Sequence, residues 1–180
     1  MSARMPALAL DPVKEPAAAA LQAALSLPDA SFVIFRHGIL AEFRTDQLRT
    51  GLCLYTHGAH RGWQVGASNE HHFHPDLAGV RQVLFDAEPV PCQGGRLNYT
   101  VWFIGVGDCG NPHLPDGLFS VTLNRPYDAT GQPRADILDA VYALYERIRP
   151  WPLVGASAPF LASYRRARSL APVTNNGVPS

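Results

Sequence analysis

Between Ser31 and Asn124 the chain reads as a succession of short runs rich in β-branched and aromatic residues: SFVIFRHGILAEF, GLCLYTH, GWQVGAS, GVRQVLFDAEPV, LNYTVWFIG and GLFSVTLN. Gly, Pro, Asn or Asp separate them. No stretch of helical period lies between these strands, so crossover helices are missing and the sheet is expected to be largely antiparallel. The period changes only afterwards. In RADILDAVYALYERIRP, Ile137, Leu138, Val141, Leu144, Tyr145 and Ile148 recur at helical spacing, with Asp136 placed to cap the start and Pro150 to end the helix. Such an amphipathic helix must cover one face of the sheet, because both apolar surfaces would otherwise stay in water.

Ahead of the strands, EPAAAALQAALSLPD predicts a second helix, with Pro16 in its first turn, Pro28 as its stop, and Leu21, Leu25 and Ala18 on its packing face. The fold class is therefore α+β: a large antiparallel β-sheet, or an open barrel, flanked by N-terminal and C-terminal helices. Residues 1–14 read as a flexible leader, 15–150 as a single domain, and 151–180 as a C-terminal extension. The last ten residues, APVTNNGVPS, have the composition of a disordered end.

A chain of 180 residues, 47% of them apolar, can bury a sizeable core without disulfides or a structural metal. The formal net charge of zero gives no electrostatic case for nucleic acid. Cys53, Cys92 and Cys109 form no CxxC pair, which argues against a disulfide framework, a thiolate zinc site and covalent haem attachment. The N-terminus is too short in apolar residues for a signal peptide, and no run approaches the ~18 residues of a membrane span. A cytoplasmic protein that is neither exported nor membrane-embedded is expected.

Three of the seven histidines fall within HHFH, residues 71–74. Imidazole can bind a metal or a porphyrin iron, move protons, or cap a polar turn. In an extended segment His72 and His74 point to one side while His71 and Phe73 point to the other. One reading is a divalent metal site in a cupin-like metal-dependent enzyme, since Gly66 is followed after five residues by His72-x-His74. The pattern then fails, because Ala78 and Gly79 stand where a Glu is needed. A second reading is haem, which wants apolar walls, a neutral imidazole and guanidinium donors for its carboxylates. His71, His72, His74 and His37 are its candidate ligands, Trp102 and Phe103 its candidate walls, and Arg36, Arg44, Arg61 and Arg81 its candidate cations. A third is an interaction module without a small ligand, in which the histidines form a solvated turn beside Pro75 and Asp76. No nucleotide loop or Ser-His-Asp order stands out.

The order of these elements resembles a known family. ALSLPD, FVIFRHGILAEF, YTHGAHRGWQVG, HHFHPDLAGVRQVLFD, YTVWFIG and LFSVTLN, followed by a closing helix, are similar from about residue 20 to about residue 148 to the cytoplasmic haem-utilisation carriers of HemS/ChuX-like fold. The resemblance implies an open, saddle-like antiparallel sheet with flanking helices and a non-covalently held haem or related tetrapyrrole. It further implies intracellular carriage or utilisation of haem, with assembly as a homodimer. One family histidine falls near His37, and another lands on His71 or its neighbour. His71 and His37 are thus the expected iron ligands, with His72, His74, Arg36 and Arg81 completing the expected site.

Overall fold

The computed structural model describes residues 8–36, 39–48, 51–57, 60–66, 71–91, 94–105 and 117–170. In chain order the elements are α1 (Pro16–Ala24), β1 (Ala30–Arg36), β2 (Ile39–Arg44), β3 (Leu52–His57), β4 (His60–Gly66), β5 (His72–Phe73), β6 (Val80–Val90), β7 (Arg96–Gly105), β8 (Gly117–Leu123), α2 (Ala135–Ile148), β9 (Val154–Ala156) and α3 (Ala158–Leu170). The α+β class expected from the sequence is the one observed. Pro16 opens α1, and the alanine-rich body buries Ala18 and Leu21 as expected.

The strands do not make one sheet. Six of them run in the order β2-β1-β8-β7-β6-β9, while β3, β4 and β5 form a separate three-stranded sheet. Every neighbouring pair is antiparallel except β6 with β9, which is parallel. Over residues 31–124 the pairing is antiparallel as expected, but the expectation of a single sheet is corrected to two, and the one parallel pair is made by β9, beyond that range. Pairing partners are set by tertiary contacts, and β9 gains its direction because α2 carries the chain back before it reaches the edge.

The two faces of the larger sheet differ in character. One carries Phe32, Phe119, Val121, Val101, Phe103 and Phe85, all buried and joined in one core with α1 and α2. Of the six positions that the helical period selects in α2, Ile137, Leu138, Val141, Leu144 and Ile148 are buried and Tyr145 is half-buried. The start of the helix differs from expectation. Arg134, not Asp136, occupies the N-cap, and Asp136 in the first turn accepts a hydrogen bond from Arg134 at 2.9 Å. On the other face, the register places Trp102 beside Ser120 and Thr100 beside Thr122. Thr122 Oγ1 lies 3.2 Å from Thr100 Oγ1 and 3.4 Å from Ser120 Oγ, so these partly buried hydroxyls can satisfy one another.

Residues 151–170 belong to the packed body. Val154–Ala156 pairs with Val83–Phe85, and α3 lays Phe160 against Phe85 and Tyr145, with ring centroids 5.4 and 5.2 Å apart.

Candidate functional site

The histidine segment is held by the end of β4. Gly66 has φ +91°, a conformation that glycine adopts without strain, and a Cβ there would collide with the carbonyl oxygen of His71. From that close approach β5 pairs back on β4, Phe73 opposite Val65 and His72 opposite Gly66. The pleat then sends alternate side chains to opposite sides.

His71 and Phe73 go to the side of the larger sheet. The Phe73 ring lies 4.5 Å from that of Phe43 and 5.5 Å from that of Phe32, and His71 lies 5.7 Å from Phe43. Phe32 continues this line inward to Phe119 at 5.4 Å, and Phe119 stacks on Phe103 at 4.7 Å. An aromatic ladder therefore runs from the centre of the core outward. It ends on an exposed imidazole, because Phe43 and Phe73 are half-buried and His71 is exposed. Phe103, expected as a ligand wall, is instead the buried inner end of this ladder.

His72 and His74 go to the other side, both exposed, with ring centroids 5.3 Å apart and planes nearly perpendicular. Tyr55 of β3 sets its ring 4.1 Å from that of His74. Tyr55 can lie there because its cross-strand partner is Gly62, where an added Cβ would meet the tyrosine ring at 2.6 Å. Among the described residues, no group of three or more His, Cys, Asp and Glu side chains is placed to hold a metal ion. The His72–His74 pair thus lacks, among those residues, the further protein ligands of a cupin-type centre.

Beyond His74, Asp76 Oδ1 accepts hydrogen bonds from the backbone N–H of Ala78 and Gly79 at 3.1 and 3.2 Å, a side-chain-stabilised turn that launches β6. Arg81, exposed just after it, donates from its guanidinium to the Ala78 and Val80 carbonyls at 2.7 and 3.3 Å. Arg44 is engaged elsewhere. It pairs with Asp29 at 3.4 Å and with Asp46 at 3.1 Å, so both carboxylates compete with any propionate it was expected to meet. Arg36 ends β1, His37 lies outside the described residues, as does His113, and the backbone register sets His57 opposite His60.

Two residues of this site were not singled out from sequence, Phe43 and Tyr55. Gly66 entered only as the first residue of the cupin-like spacing, and its part in seating β5 is seen in the structure. Phe43 and Tyr55 become visible once the register is known.

The ChuX crystal structure superposes with a TM-score of 0.51 at 9% sequence identity, covering 73% of this chain and 71% of that one. A structure from Agrobacterium tumefaciens gives a TM-score of 0.46 at 12% identity, covering 77% and 66%. No protein-family model matches the sequence, and no curated protein does. At such identity the likeness speaks for the fold: the chain has a ChuX-like α+β fold. No helix among the described residues is long and apolar enough to cross a membrane.

Proposed function

We propose that this protein binds haem or a related tetrapyrrole non-covalently and carries it within the cell, His71 supplying an axial imidazole. The observation that supports this most is the exposed His71 ring at the outer end of the Phe103–Phe119–Phe32–Phe73–Phe43 ladder. A porphyrin needs an apolar surface beside a nitrogen donor, and this edge offers both. The residues present suit the group in kind: an imidazole for iron, phenyl rings for the macrocycle, and Arg81 as an exposed cation after the same turn. The ChuX-like fold agrees with the family resemblance of the sequence, which also carries the homodimer, and His37 and Arg36 remain its further candidates.

When bound, the iron would supply the coordination that makes the complex visible. The chain's own part is to orient one imidazole, shield one porphyrin edge and leave the other accessible for transfer. Hemin titrated into the wild type is expected to give a saturable Soret shift. His71→Ala should alter the band and weaken binding at least tenfold, since an axial ligand is lost, while His72→Ala and His74→Ala leave both unchanged. Wild-type binding no stronger than that of an unrelated protein would sink the proposal. An unaltered His71→Ala spectrum would sink the ligand assignment.

A further inference from the structure

We propose that His72 and His74 form a bis-imidazole site for a divalent transition-metal ion, on the side of the three-stranded sheet opposite to His71. The pleat puts both rings on that side, and both are exposed. Their centroids are 5.3 Å apart. Two imidazoles bound tetrahedrally through nitrogens at about 2.0–2.1 Å from one zinc ion would hold their centroids about 5 Å apart. The spacing therefore suits a shared ion.

The support behind the pair is built in. Gly66 pins β5 on β4, and Tyr55, seated over Gly62, presses its ring edge-to-face against His74 and limits where that imidazole can swing. An all-imidazole donor pair favours Cu²⁺, Ni²⁺ or Zn²⁺ over Mg²⁺ or Ca²⁺, which prefer oxygen. With two ligands from the chain and water for the rest, the site is open, unlike the closed shell of a structural zinc. The cross-strand pair His57 and His60 lies at the far end of β3 and β4, two residues along β3 from Tyr55. Two strand residues span about 6.6–6.8 Å, which makes this pair a separate locus that the test must exclude.

The test titrates ZnCl2 calorimetrically into the untagged full chain, with MgCl2 as the comparison and no hemin present. Expected are one zinc ion per chain, at least a tenfold loss of affinity in His72→Ala and in His74→Ala, and no change in His71→Ala or in the His57→Ala/His60→Ala double variant. Nitrogen hyperfine structure from Cu²⁺ should count two imidazoles in the wild type. Far-UV circular dichroism of each variant checks that it is folded, and His72→Asn and His74→Asn provide milder versions. The proposal is overturned if the His72→Ala/His74→Ala double variant binds zinc as tightly as the wild type. It is equally overturned if the loss follows His71 or the His57–His60 pair. Because hemin is absent, failure here leaves the tetrapyrrole reading standing, and failure of hemin binding leaves this one standing.

Discussion

At the scale of single residues, Asp29 joins four parts of the molecule. It sits at φ +47°, a left-handed conformation that Asp tolerates better than most residues. Its carboxylate accepts from Arg125 at 2.8 Å, from Arg134 at 3.1 Å and from Arg44 at 3.4 Å. One side chain thereby ties the start of β1 to the end of β2, the exit of β8 and the entry of α2. The Arg125 hydrogen bond, opposed by partial burial and aided by the other arginines, holds the Asp29 carboxyl below its ordinary 3.8. A carboxylate with a depressed folded pKa contributes stability that is fully present above the unfolded value and is lost as pH falls through the folded one. Asp29→Asn keeps the backbone preference and removes the charge. It should cost about 1–3 kcal/mol at neutral pH, and it should flatten the decline in stability below about pH 4. Urea midpoints measured across that range check both, and a variant as acid-sensitive as the wild type would refute the assignment. Gly66→Ala makes a second test at this scale. The new methyl group meets the His71 carbonyl at a positive φ, so destabilisation by about 1 kcal/mol or more is expected. A loss of hemin and zinc responses together should accompany it, because β5 carries both sets of imidazoles.

At the scale of elements, α2 shows what periodicity can reveal and α3 what it can hide. The apolar stripe of α2 is dense, and Leu144→Ala should cost about 2–5 kcal/mol by opening a cavity. A lowered urea midpoint with an unchanged slope is the expected signature. Helix α3 packs through buried Phe160 and half-buried Ser163 and Tyr164, in which a serine interrupts the apolar pattern. That serine has a structural reason. Ser163 Oγ lies 2.7 Å from Tyr99 Oη and 2.8 Å from Tyr142 Oη, joining β7, α2 and α3 through one buried hydroxyl cluster. Burial pushes the Tyr99 hydroxyl well above the usual tyrosine range, so it stays protonated and able to donate. Phe160→Ala should cost about 3–5 kcal/mol. Ser163→Ala should cost about 1 kcal/mol, because the two phenols keep their mutual contact of 3.3 Å. Thermal melts of the two variants, compared at equal concentration, test this ordering.

At the scale of the whole molecule, the 13 residues of α3 complete the body, while the sequence of the ten residues after it offers little to bury. Truncation before Ala158 removes Phe160 from a site with no exposed surface, and it should leave a chain that aggregates or melts far below the wild type. Truncation before Ala171 removes a sequence with Pro172, Asn175, Asn176, Gly177 and Pro179 and little to bury. We expect it to leave the melting temperature and the hemin response unchanged. Aggregation or lost self-association in that shorter chain would show that the tail packs on the body or on a partner copy. The ChuX-like fold tolerates 9% identity because such an architecture asks only that alternate strand positions and one helix stripe be apolar.

The sequence by itself determined what depends on near neighbours: the strand runs, α1 and α2, and the division of HHFH into two sides, since pleat and helical turn are local periodicities. Phe43 against His71, Tyr55 against His74, Asp29 among three arginines and β9 beside β6 are contacts between residues distant in the chain. Only the tertiary structure decided those, because a strand's hydrophobic pattern states which face is buried but not which partner covers it. The same holds for the arginines. Their charge is visible in the sequence, but whether a guanidinium awaits a ligand or already grips a carboxylate depends on where the chain returns.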